Sequence, residues 1–185
     1  HVSADNRYQL FVNGTMVSLG PAQSDLLHWN YETVDIAPWL QSGDNTIAAT
    51  VWNYGTDGPL AQISLRTAFI LQGDTQEEAA VNTNPSWQVF EDKGCQALKP
   101  TVLGYFVAPY GEVIDMTKAE KGWQLNGYDA TGWKPAEPLM AGSPKGFMAT
   151  DGTGWMLVPS LLPQMERSLQ RLSAVRKAEG VRVTK

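Results

Sequence analysis

The sequence predicts an all-β fold. Three observations carry this: short β-branched or aromatic runs divided by turn residues, an Asn-Gly pair between two apolar runs, and 17 Gly with 11 Pro punctuating 185 residues. Runs bounded by such clusters are the pattern of antiparallel strands. A chain of this length can bury a core without covalent staples. Its 43% hydrophobic and 18% charged residues are a globular composition.

The first element is the clearest. Arg7 to Val12 reads as a strand, Asn13-Gly14 as a type I′ turn, and Thr15 to Val17 as the return strand. Tyr8, Leu10 and Val12 alternate with Arg7, Gln9 and Phe11, so the apolar Phe11 implies cover on both faces. Residues 20–34 show no period. Thr33 to Ile36 reads as a short strand, Ala37 to Leu40 as one helical turn, and Gly43-Asp44-Asn45 as a turn. Thr46 to Trp52 reads as a buried strand, and Ala61 to Leu71 as a long one ended by Gly73. Gly73 to Pro85 is polar, and Glu77-Glu78 there reads as a solvated loop. Short strands follow at Trp87 to Phe90, Thr101 to Val107 and Glu112 to Met116, with a turn at Pro109-Tyr110-Gly111. Lys121 to Pro144 is rich in Gly, Pro and Trp and reads as irregular structure held by aromatic packing. Leu161, Leu162, Met165, Leu169, Leu172 and Val175 recur at helical spacing. With Ser160 as N-cap, Pro163 in the first turn and Gly180 past the end, they predict a connector helix.

Composition excludes several functions. Fourteen Lys and Arg against 19 Asp and Glu give a net charge of −5, which argues against a nucleic-acid partner. The longest apolar stretch, Ala68 to Leu71, is strand-sized, so no membrane span is expected. Cys95 is the lone cysteine, and no disulfide can form within the chain. His1 and His28 cannot build a His/Cys zinc site by themselves, and only His28 is left as a base for a serine triad. There is no phosphate loop and no short metal-ligand motif. Seven Trp and six Tyr stand out.

Three segments together resemble a known family. Val2 to Gly14 continues through Gly20-Pro21-Ala22, Ser24-Asp25 and His28-Trp29 to Asp35 to Leu40, then Gly43 to Ile47 and Val51-Trp52-Asn53-Tyr54-Gly55. The hairpin and the pattern from Asp35 to Ile47 are shared by galactose-binding-like (jelly-roll) sandwiches of multidomain glycosidases. The loop around His28-Trp29 and the strand end at Trp52 to Gly55 are narrower, and are similar to the amino-terminal region of bacterial alpha-L-rhamnosidases. Ser86 to Val89, Gly122-Trp123, Gly127-Tyr128-Asp129 and Gly132 to Ala136 agree, as does Leu157 to Val181.

The resemblance implies a galactose-binding-like sandwich over residues 1–140 and a linker with the amphipathic helix over 141–185. It implies an accessory region of an inverting glycosidase that removes terminal alpha-L-rhamnose. Inversion needs two carboxyl groups roughly 6.5–9.5 Å apart, and the family holds them in a large helical barrel. One expected helix cannot build that barrel, so no catalytic residue carries over and the chain is expected to be inactive alone. His1 to Ala4 reads as the middle of a strand, as in an excised piece whose first strands lie upstream. The expected partners are the catalytic domain of the same polypeptide and rhamnose-containing glycans, with a periplasmic or extracellular setting. An autonomous carbohydrate-binding module and a purely structural domain are the alternatives.

A sugar site combines aromatic surface with fixed polar groups. Asp25, His28, Trp29 and Tyr31, with Asn53 and Tyr54 at the nearby strand end, offer that mixture. Each also has a structural reading: Asp25 as a loop cap, His28 as a hydrogen-bonded histidine, Trp29 and Tyr31 as packing. No cofactor is implied. The resemblance admits calcium at Asp5-Asn6, which would need six to eight oxygens. Trp87, Trp123, Trp133 and Trp155 are expected to anchor irregular segments, and Cys95 to be an unreactive thiol.

Overall fold

The computed structural model describes residues 1–98, 111–146, 154–166, 168, 170–177 and 179–180. Strand β1 (Val2–Asp5) is buried along its whole length, whereas β2 (Arg7–Val12) buries every second residue. Period-2 burial follows from side chains alternating across the pleat. Tyr8, Leu10 and Val12 are fully enclosed, and Tyr8 and Leu10 form the centre of the core with Val2, Ala4 and Leu71. Phe11, on the other face, meets Trp123 edge-to-face at 5.2 Å, which accounts for its apolar character.

Asn13 and Gly14 both have positive φ (49° and 81°) and turn the chain into β3 (Thr15–Gly20). Both central residues of a type I′ turn require that conformation. Asn13 also fixes the next segment. Its Nδ2 donates to Trp39 O and Asn45 Oδ1, and its Oδ1 accepts from Thr46 N, all within 2.9 Å. A short β4 (Trp29–Tyr31) and a 3₁₀ turn at Ala37–Trp39 lead to β5 (Ile47–Trp52). Strand β5 lies antiparallel to β2, giving the sheet order β3-β2-β5. Strand β6 (Ala68–Leu71) pairs with β1, and a bridge from Val2 to Glu32 continues that layer.

The second half is built from short pieces. Strands β7 (Gln88–Val89) and β10 (Lys134–Pro135) pair over two residues. Strands β8 (Cys95–Leu98) and β9 (Gly111–Ile114) form an exposed ribbon. Strands β11 (Ser143–Pro144) and β12 (Met156–Pro159) run parallel to β4, so residues beyond 140 join a sheet with residues 29–31.

Several expectations are corrected. Thr33 to Ile36 is not a strand, because Asp35 accepts from Ala37 N and turns the chain there. Residues 61–67 do not extend β6. The Leu65 and Arg66 amides donate to the Asp5 side chain instead of a ladder. Strand β5 is half-exposed rather than buried. The connector helix is absent from the described residues of 160–180. Leu161, Leu162, Met165, Leu172 and Val175 are exposed there. An amphipathic helix draws most of its stability from covering its apolar face, and among the described residues these side chains have no such cover. The expected strand at Thr101 to Val107 and most of the turn at Pro109-Tyr110-Gly111 lie outside the described residues.

Candidate functional site

The densest polar constellation surrounds Asp5, which is 1% exposed at the end of β1. Its Oδ1 accepts from Asn6 Nδ2 (2.8 Å), Asn53 Nδ2 (2.9 Å) and Ser64 Oγ (2.7 Å). Its Oδ2 accepts from Leu65 N (2.7 Å), Arg66 N (3.3 Å) and Trp155 Nε1 (3.0 Å). The amide orientations are fixed independently: Asn6 Oδ1 accepts from Tyr54 N, and Asn53 Oδ1 from Gly55 N. Both asparagines therefore present nitrogen to Asp5. One buried side chain thus closes the loop 53–66 and draws in Trp155 from the far end of the chain.

The Asp25 to Tyr31 stretch has a different character. Asp25 caps a 3₁₀ turn at Leu26–His28, accepting from Leu27 N at 2.8 Å. It is paired with His28 Nδ1, and this hydrogen bond, more than the backbone one, holds its carboxyl below the usual carboxylate range. His28 Nε2 in turn accepts from Lys145 Nζ. Trp29 is only 5% exposed and lies in β4, against β12. Tyr31 meets His1 edge-to-face at 5.0 Å.

The six candidate sugar-contacting residues therefore divide. Asp25, His28 and Tyr31 present polar or aromatic edges near the surface. Trp29 is largely covered, and Asn53 and Tyr54 belong to the Asp5 constellation. Sequence reading missed Ser64, Arg66 and Trp155 as members of that constellation. The available signal was Asp5 itself, an acidic residue inside a strand that is otherwise small and apolar.

A third polar group is buried beneath the hairpin. Glu32 accepts from Ala22 N (2.9 Å) and Tyr8 Oη (3.1 Å), and Tyr8 Oη also meets Ser18 Oγ at 3.0 Å. Burial pushes the Glu32 carboxyl up from its ordinary value. Burial, reinforced by Glu32, pushes the Tyr8 phenol up strongly. Partial desolvation, with the Glu112 and Asp92 charges nearby, raises the thiol of the exposed Cys95, which disfavours the reactive thiolate.

A cavity of about 1070 Å³ lies between β5, β6 and the irregular residues 120–142. Phe69, Trp87, Trp123 and Trp133 are on its walls. Trp133 stacks on Phe90 at 5.5 Å and takes the edge of Tyr128 at 5.7 Å. Trp87 tilts against Phe69 at 5.8 Å and donates Nε1 to Asn82 O.

Among the described residues, no three His, Cys, Asp or Glu side chains gather to hold a metal ion. The Asp5-Asn6 region does not fit calcium. A calcium site presents oxygens inward, whereas Asp5 faces six N–H and O–H donors.

Fold and site together define a β-sandwich module whose buried polar groups hold its own loops in place. The chain belongs to the alpha-L-rhamnosidase N-terminal domain family, whose profile matches residues 1–153. The crystal structure of a family 78 rhamnosidase of Bacillus sp. GL1 is similar, with a TM-score of 0.73 and 28% identity. The match covers 88% of this chain and 16% of that one. No curated protein sequence matches.

Proposed function

We propose that this chain is a non-catalytic accessory domain of an alpha-L-rhamnosidase-type glycoside hydrolase. Its role is to brace the catalytic domain of the same polypeptide and to lend a wall to the substrate pocket. The observation that carries this reading is the family match together with its extent: the chain corresponds to 16% of a rhamnosidase, a single sandwich within a much longer chain. The chemistry of the site supports it. Asp5 is saturated by donors and Asp25 caps a turn. Neither is placed to exchange a proton with a glycosidic oxygen or a water in the way that inverting hydrolysis requires.

The test is hydrolysis of an aryl alpha-L-rhamnoside by residues 1–185. No turnover is expected, and measurable release of the phenol overturns the reading.

A second reading, weak contact with rhamnose-bearing glycans, is favoured by the exposed cluster of Asp25, His28 and Lys145, with Tyr31 three residues further along the chain. It predicts NMR shifts at His28 and Tyr31 on titration with L-rhamnose. A spectrum unchanged at millimolar sugar removes it.

A further inference from the structure

The sequence contains two Asn-Gly pairs, Asn13-Gly14 and Asn126-Gly127. A glycine has no Cβ to shield its amide nitrogen, so the carboxamide of a preceding asparagine can close on it. Asparagine is thermolabile for this reason, and the local fold decides whether the closure is reached.

The two pairs differ in this respect. Asn13 is half-buried, and its carboxamide is held from three directions. Its Nδ2 donates to Trp39 O and Asn45 Oδ1, both at 2.8 Å, and its Oδ1 accepts from Thr46 N at 2.9 Å. Swinging its Cγ over Gly14 N means breaking these bonds. Asn126 and Gly127 are instead exposed, at the centre of a turn closed by Tyr128 N donating to Leu125 O at 3.4 Å. Gly127 has φ 77°, and nothing stands within 4 Å of the place its Cβ would take. Among the described residues the Asn126 carboxamide makes one hydrogen bond, from Nδ2 to Asp44 O at 3.2 Å. The Gly127 amide has no acceptor among them. Nucleophile and carboxamide are thus both accessible, and a single bond restrains the side chain.

Asn126 also sits where the two halves of the chain meet. Leu125 lies so close over the hairpin turn that a Cβ at Gly14 would come within 2.6 Å of its Cδ2. Trp123 meets Phe11, and Asn126 reaches Asp44, the neighbour of the Asn45 that holds Asn13.

We propose that Asn126-Gly127 is a self-modification site, where water converts Asn126 to aspartate or isoaspartate and thereby loosens residues 122–128 from the hairpin. Gly127 N attacks Asn126 Cγ, the new C–N bond closes a cyclic imide, and the Cγ–Nδ2 bond breaks. The proton shed by the Gly127 amide is balanced by the one Nδ2 takes up as it leaves as ammonia. One water then opens the imide at either carbonyl, with no oxidation or reduction. The product carboxylate has no N–H for Asp44 O and sets oxygen against oxygen. Isoaspartate also lengthens the backbone ahead of Gly127. The accessory-domain reading plays no part in this proposal.

The test is incubation of the chain in warm, mildly alkaline buffer made with oxygen-18 water, followed by peptide mass spectrometry. In the folded chain Asn126 should convert at least about 10-fold faster than Asn13, the difference their hydrogen bonds imply. In urea the two should convert at similar rates. Equal rates in the folded chain overturn the site, and so does an Asn126 that stays intact while both convert in urea. N126Q cannot close the same ring, so its peptide should gain no mass; a gain that persists there assigns the change to another residue and overturns the site. N126D mimics the product and tests the loosening. Its amides in residues 122–128 should exchange at least about 10-fold faster than those of the parent, with Tyr8 and Leu10 unaffected. Unchanged exchange in N126D overturns the loosening.

Discussion

In residues 1–72, strands of up to six residues enclose Tyr8, Leu10, Val12 and Leu71. In residues 86–144 no described strand exceeds four residues, and Val89, Phe90, Val113, Leu125 and Met140 stay exposed. The first region is organised by alternation: every second residue of β2 is core, and the hairpin fixes its register. The second is organised by aromatic contacts, with Trp133 on Phe90 and Tyr128, and Trp123 reaching across to Phe11. The difference teaches where a substitution spreads. A ladder shares its strain along many backbone bonds, whereas an aromatic contact fails alone.

Substitutions can break or sharpen that contrast. The largest effect is expected at Asp5, where D5A leaves six donors facing a cavity in the first region. Urea unfolding should show a loss of about 4 kcal/mol, and a loss below 1 kcal/mol would show that the constellation is peripheral. L10A, at the centre of the core, should cost about 3 kcal/mol through lost burial and a new cavity, with the whole first region unfolding earlier. W133A in the second region should cost only about 1 kcal/mol, the worth of its aromatic contacts. Its amide-exchange changes should stay within residues 86–144. An L10A effect no larger than that of W133A would abolish the contrast.

The smallest effect concerns pH. Burial raises the Glu32 carboxyl, so its contribution to stability is fully present below the unfolded value of about 4.5 and is lost as pH rises through the raised folded value. E32Q should therefore gain relative to the parent as pH climbs from 4 to 7. Parallel stability curves for the two proteins would contradict the burial of that carboxyl.

Local chemistry explains what could be read from the chain alone. The Asn13-Gly14 hairpin, the helical turn at residue 37 and strand β5 are each specified within a dozen residues, by turn chemistry and β-branched runs. The loop through residues 61–67 misleads because its amides are claimed by Asp5, some 60 positions earlier. The C-terminal stripe misleads for the opposite reason: its periodicity is local, but the surface that would stabilise it is not. At the candidate site, Asp25 was legible as a loop cap and His28 as a hydrogen-bonded histidine, but not their bond to each other. The joining of Asn53 and Tyr54 to Asp5, Ser64 and Trp155 was not, since no local pattern encodes a contact across 150 residues.

That span has a consequence for synthesis. Asp5 leaves the ribosome well before its last donor, Trp155, which is made 150 positions later. Domains emerge at about 5–20 residues per second, so the Asp5 side chain waits roughly ten seconds or more before its shell can close. During that interval the loop 53–66 can dock while Oδ2 still lacks the indole. Closure of the shell is therefore a late, long-range event, of the kind that slows folding in β proteins. A nascent chain stalled before Trp155 would carry the hairpin and core strands with this one carboxyl incompletely clothed.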